Sequence, residues 1–506
     1  MNRTEIFFNY ISEGYKSKGD FITLGAGMLG EETITNALVN IPLKTLNRHG
    51  LIAGATGTGK TKTLQVLAEN MSEKGIPVLL MDIKGDLSGL AQPSAGHVKI
   101  DERHKKIGIP FNATKFPIEI LSISEQNGVR LRATVSEFGP VLLSRILDLT
   151  ETQSGIVAII FKYCDDNKLP LLDLKDFKKL LQFITNEGKE ELQAEYGRIS
   201  TASTGAILRK IVEIEQQGGD LFFGEKSFEV DDLTRVDENG RGVISVLRLT
   251  DIQDKPQLFS TFMMQLLAEV YENFPEKGDS DRPELIIFID EAHLVFEEAS
   301  KALLNQIESI VKLIRSKGIG LYFVTQNPKD VPEDVLAQLG MKIQHALRAF
   351  TAKDRKAIKL AAENYPDSEY YDTKEVLTQL GIGEALVSVL NEKGIPTPLV
   401  RTMLRAPMSR MDVLTDSEIK DVLNNSTLIP KYNTTIDRES AYELLNKKIE
   451  VINQEKAAEI SKEEAEKANK YSKTTNSSTR QNPIIKVLTS ATFIRSVFGI
   501  LKKVLK

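Results

Sequence analysis

Two kinds of apolar pattern alternate along most of the chain. The first is the short continuous run: Gly50-Leu51-Ile52-Ala53, Ile76 to Asp82, Val243–Leu247, Leu285–Asp290, Ile319–Thr325, Ile343–Leu347 and Ala385–Leu390. Such runs, bounded by polar residues or glycine, suit strands of a parallel sheet covered on both faces. The second has helical period. Leu64, Leu67, Ala68 and Met71 share one face of a helix predicted over Thr63 to Glu73, and Gly75 ends it. Pro256–Phe274 and Lys301–Lys317 read as further helices. Strand, helix, strand in succession makes βαβ units and therefore an α/β sheet.

Three stretches depart from this rhythm. Residues 110–235 are mostly helical in pattern and rich in Leu, Lys and Glu, as in Val141–Leu147 and Ile207–Val212, so a large helical insertion is expected. Before the first strand, Ile22-Thr23-Leu24-Gly25 reads as a short strand or turn. From Asp437 to Tyr471 the chain is strongly charged, with Tyr442, Leu445, Ile449 and Ile452 at alternating spacings of three and four, the seam of a helical arm. A Ser/Thr/Asn linker and an apolar, basic tail follow. The expected organisation is a preamble over 1–47, the first part of an α/β core over 48–109, the insertion over 110–235, the second part of the core over 236–410, a helical arm over 411–471, a linker over 472–483 and a basic amphipathic helix over 484–506.

Composition narrows the setting. At 506 residues the chain is too long for one compact core. Its net charge of −5 gives no overall basic field, so any nucleic-acid contact must be local. The single cysteine, Cys164, lies in an apolar setting and reads as core packing. The polar N-terminus shows no signal peptide, and no uncharged stretch reaches the roughly 20 residues of a spanning helix. A cytoplasmic protein is expected. Its basic C-terminal helix is expected to dock on a partner or on an anionic membrane surface.

Chemistry enters at the end of the first apolar run. Gly54-Ala55-Thr56-Gly57-Thr58-Gly59-Lys60-Thr61 has the form G-x-x-x-x-G-K-[ST], between a strand and a helix. Glycines let main-chain N–H groups wrap phosphate oxygens, and the following helix adds its N-terminal dipole. Lys60 and its neighbour Lys62 place charge there, and the Thr61 hydroxyl suits Mg²⁺. The run Leu285–Ile289 ends in Asp290 and Glu291, which puts two acids at the C-terminal edge of a buried strand, where α/β sheets bind ligands. Asp290 is expected to hold Mg²⁺, and Glu291 to polarise the water that attacks ATP. Gln326, ahead of Thr325, closes the run Ile319–Thr325 at the place of a γ-phosphate sensor. Arg315 is a candidate arginine finger supplied to a neighbour's ATP, with Arg348 second.

Asn47–Thr61, Asp82-Ile83-Lys84-Gly85-Asp86-Leu87-Ser88-Gly89, Phe222–Glu225, Asp290-Glu291-Ala292-His293-Leu294, Ile314–Gly318, Thr325–Pro328 and Gln344–Phe350 together resemble the bacterial HerA-like ATPases of the YjgR type, over roughly residues 20–410. The resemblance implies a RecA-like P-loop sheet of the HerA–FtsK branch, in a hexameric ring that pumps double-stranded DNA. The short run before Gly50 argues against the docking barrel through which HerA proper meets a NurA-type nuclease. Asp-Glu-Ala-His alone does not make a DEAH-box helicase. The competing expectation is an ATPase that remodels a protein or membrane-associated partner without DNA. A small-metabolite kinase explains neither Glu291 nor the length. Lys329-Asp330 and Lys353-Asp354-Arg355, each placed after a strand, are the candidate pore loops.

Overall fold

The computed structural model describes residues 2–278, 280–298, 301–349, 351–434, 436 and 438–474. The chain divides into two compact units, residues 1–444 and 445–506. The second unit's described part belongs to one long helix, Ala441–Thr474. Most of the expected linker and the whole expected amphipathic helix over 484–506 lie outside the described residues.

In the first unit, among the described residues, twelve strands form one sheet: β1 (Phe21–Leu29), β2 (Glu32–Pro42), β3 (Gly50–Ala53), β4 (Val78–Asp82), β5 (Ile118–Ser122), β6 (Val129–Arg130), β7 (Ile244–Arg248), β8 (Leu285–Ile289), β9 (Ile319–Thr325), β10 (Met341–Gln344), β11 (Glu384–Ser388) and β12 (Val400–Leu404). Their order across the sheet is β2-β1-β12-β11-β10-β3-β9-β8-β4-β7-β5-β6. Every neighbouring pair from β10 to β6 is parallel. From β10 outward through β11, β12, β1 and β2 the pairing is antiparallel. Strands β3, β4, β8 and β9 are buried along their whole length, as the continuous apolar runs require. Phe288 and Tyr322 stack across β8 and β9 at 4.9 Å, and the Tyr322 hydroxyl donates to the Leu46 carbonyl at 2.9 Å.

The structure differs from the sequence expectation in three places. The preamble is a hairpin, β1 and β2, that extends the sheet; Gly25 and Gly27 dilute its apolar pattern. The segment 110–235 opens with β5 and β6, which carry the parallel sheet past β7. The apolar run of β5 is broken by Glu119, which is buried and ion-paired with Arg235 at 2.8 Å, so the charge hid the strand. Helices take over only at Val135. In this helical region Phe161 packs on Phe177 and Tyr163 on Phe183, and Cys164 is buried. Finally, the chain beyond 410 stays with the core at first. Leu414 and Ile419 pack on Ile120 of β5. Asn433 accepts from the Arg130 N–H and donates to the Gly128 carbonyl, both at 2.9 Å. The short helices Asp416–Asn424 and Leu428–Tyr432 commit one face to this packing, which leaves their composition as polar as an arm's.

Candidate nucleotide site

The loop between β3 and the helix Lys60–Glu73 turns through Gly54, Gly57 and Gly59 at φ 155°, 78° and 110°. A side chain at these angles is strained. Gly54 also lacks room, since a Cβ there would sit 2.5 Å from that of His345. The β10 side pins the loop. The Ala55 N–H donates to the Ala346 carbonyl at 2.8 Å, and the Gly383 N–H to the Thr58 carbonyl at 3.1 Å. Thr63 Oγ1 and His345 Nε2 lie 2.9 Å apart. Burial, with the Lys60 cation nearby, lowers the His345 pKa to about 4, so its ring is neutral. Lys60 folds back on the loop, donating to the carbonyls of Gly54 (2.7 Å) and Ala55 (3.3 Å). Burial lowers its pKa and the Lys84 cation adds to this, while Glu291 and Asp290 oppose.

β8 brings Asp290 and Glu291 to the same edge of the sheet. Asp290 is 2% exposed; its Oδ1 accepts the Glu291 N–H at 2.9 Å, and its Oδ2 has no hydrogen-bond partner among the described residues. Burial pushes its carboxyl up to about 7, against the pull of Lys84. A buried carboxylate oxygen left unpartnered beside a phosphate loop is one that a divalent cation completes. The residues therefore fit magnesium, with Asp290 and the Thr61 hydroxyl to hold it. Glu291 has a left-handed backbone, φ 45°, of the kind that costs about 1–3 kcal/mol and persists where the surroundings enforce it. Its Oε1 is ion-paired with Lys84, and its Oε2 is 3.1 Å from His293 Nδ1. Burial raises the Glu291 pKa, but Lys84, His293 and Lys60 together bring it below the ordinary carboxylate value.

The other expected residues fall as follows. Thr325 is buried at the end of β9 and donates to Asp330 Oδ2 at 2.7 Å, whereas Gln326 is exposed just past the strand. Arg315 is exposed in the turn Ile314–Lys317 that leads into β9, at the sheet edge opposite the P-loop. Arg348 is exposed beyond β10, on the P-loop's side. Lys62 turns its ammonium to the Met411 carbonyl at 2.5 Å.

That last contact belongs to a feature the sequence did not announce. Residues 405–412 form a strap across the helix Lys60–Glu73. Buried Glu69 accepts the N–H groups of Met408 (2.7 Å) and Ser409 (3.0 Å) and the Ser409 hydroxyl. Gln65 donates to Ser409 Oγ at 2.7 Å and to the Arg410 carbonyl at 3.0 Å, and Arg405 donates to Asn70 at 2.9 Å. Gln65 and Glu69, polar and four residues apart on one face of the helix, are the signal that could have found it.

A parallel sheet with a P-loop after β3, and a buried acidic pair after β8 with β9 between them, defines a RecA-like P-loop ATPase. The family model described as Helicase HerA-like C-terminal matches residues 28–499, and the chain belongs to that family. It is 22% identical over 375 residues to the DNA double-strand break repair helicase HerA of Sulfolobus acidocaldarius, across 73% of this chain and 68% of that one. It is 24% identical over 366 residues to the DNA import protein CedB of the same organism, across 71% of this chain and 52% of that one. The chain spans about two thirds of the length of the HerA relatives it matches. Among solved structures, the plasmid coupling protein TrwB in complex with the non-hydrolysable GTP analogue GDPNP shares the fold at a TM-score of 0.52 and 14% identity, over 80% of this chain and 95% of that one.

Proposed function

We propose that this chain is a ring-forming motor that binds Mg-ATP and couples its hydrolysis to movement on, or remodelling of, double-stranded DNA. The loop's N–H groups and Lys60 bind the phosphates; Thr61 and Asp290 would hold magnesium, which would supply charge neutralisation on the phosphates. Glu291 orients and polarises the water that attacks the γ-phosphorus, and ADP leaves. The hydrogen bond from Thr325 to Asp330 ties the end of β9 to the turn that carries Lys329.

One observation favours DNA as the partner. Of the two segments that the sequence offers as DNA contacts, Lys329, in the turn Pro328–Asp330, and Lys353, which opens the helix Ala352–Glu363 rather than a loop, line a single cleft of about 610 Å³. Lys329 and Lys353 enter it after the C-terminal ends of β9 and β10, at the nucleotide edge, and Lys342 and Lys356 join them against Glu333 and Glu363. In a chain of net charge −5 this is a local cationic surface. The named DNA helicases among its relatives point the same way. Among the described residues no helix is long and apolar enough to cross a membrane.

The test is ATP turnover with and without duplex DNA, beside particle images of Glu291→Gln with ATP. Stimulation by duplex, and rings of the variant that hold ATP and cleave it only at a residual rate, are expected. Turnover indifferent to DNA, with no duplex bound, would sink the DNA reading and leave the ATPase standing.

A further inference from the structure

The block Asp82–Gly89 takes no part in the chemistry above, yet it places a lysine against the carboxylate that performs it. Asp82 shapes the block. Its carboxylate accepts the N–H groups of Gly85 (2.7 Å), Asp86 (3.2 Å) and Leu87 (3.1 Å), so three successive donors wrap one side chain. Gly85, at φ 76°, turns the chain where a Cβ would come within 2.8 Å of Thr250 Cγ2. Because β4 pairs with β8, Met81 opposite Ile289, the loop after β4 stands beside Asp290 and Glu291. Lys84 leaves this loop with its side chain 37% exposed and ends on Glu291, whose side chain is 6% exposed. Among the described residues no other lysine or arginine is ion-paired with Glu291.

We propose that Lys84 is a positioning residue for Glu291, seating its carboxylate in the orientation from which it addresses the attacking water. A glutamate has three side-chain torsions to fix, and this one starts from a strained backbone. The ammonium, held by a loop that Asp82 closes, supplies the fixed point. His293 faces the other carboxylate oxygen, so Lys84 sets which oxygen faces the loop. Misplacement of a reacting group by about 1 Å costs on the order of 10²-fold in rate.

The proposal rests on the ATPase reading of the site, and the full-length chain tests both. Single-turnover hydrolysis and the Kd for a fluorescent ATP analogue are measured for wild type, Lys84→Met, Lys84→Arg, Glu291→Gln and the Lys84→Met/Glu291→Gln double variant, with thermal unfolding as the control on fold. Lys84→Met is expected to lose about 10–100-fold in hydrolysis while ATP affinity stays within about threefold. Lys84→Arg is expected to recover most of the loss. In the Glu291→Gln background, Lys84→Met is expected to cost nothing more, because a residue that acts through Glu291 has nothing left to position. Three results overturn the idea: wild-type rates in Lys84→Met, a parallel fall in ATP affinity that makes Lys84 a phosphate contact, or losses that multiply in the double variant. A wild-type chain that neither binds nor cleaves ATP removes the ATPase reading, and this proposal with it.

Discussion

In this structure the charge of Lys60 is spent on the carbonyls of its own loop, and an incoming phosphate must take it over. Ala346 and Gly383 hydrogen-bond the loop's backbone, and His345 packs against it, independently of Lys60. Lys60→Ala is therefore expected to lose at least about 10²-fold in ATP turnover with its unfolding temperature little changed; near-wild-type turnover would show that this loop is not the nucleotide site. Gly54–Thr61 and the pair Asp290-Glu291 were legible because phosphate chemistry fixes residue types at adjacent positions. Lys84 and His345 were not, since they meet the site across more than 200 positions of sequence. The sequence ranked Gln326 ahead of Thr325 as the γ-phosphate sensor, and the structure turns the two to opposite sides. Successive strand residues face opposite ways, and Thr325 is the one turned in to Asp330.

At the scale of elements, the parallel strands were legible from their apolar runs, and the failures have local causes: two glycines in β1 and a paired charge in β5. The strap was invisible because it is held by polar side chains that a periodicity reading assigns to solvent. Burial pushes the Glu69 carboxyl up to about 7 against the donors of Met408 and Ser409. Replacing it leaves those donors buried without a full set of acceptors, a loss on the order of 1–3 kcal/mol. Glu69→Gln is expected to lower the unfolding temperature and to open residues 405–412 to limited proteolysis. A strap as protected as in wild type would show that the apolar packing alone suffices.

At the scale of the whole molecule, the two arginines stand at opposite edges of the sheet. Arg315 precedes β9, and the P-loop follows β3 beside it, so the length of a seven-residue strand, roughly 23 Å, separates Arg315 from its own nucleotide. If it is an arginine finger, the ATP it serves is that of another subunit. Mixing Arg315→Ala subunits with Glu291→Gln subunits is expected to restore part of the hydrolysis that each lacks alone. Failure to complement in rings shown to be mixed would move the role to Arg348, whose place at the nucleotide edge also suits it.

The pairing of β1 with β12 has a consequence for how the protein is made. Gly25 leaves the ribosome early, but its partner Leu404 is about 380 positions away. At the usual pace of synthesis the hairpin waits roughly 20–75 s for the strand it must join. Throughout that interval the growing chain carries an unfinished sheet edge, the kind of surface that recruits other strands. Ribosome-bound chains arrested before residue 400 should keep β1 open to protease, and chains arrested some tens of residues past 404, once the exit tunnel is cleared, should protect it. Protection in the shorter chains would mean that the hairpin docks without β12.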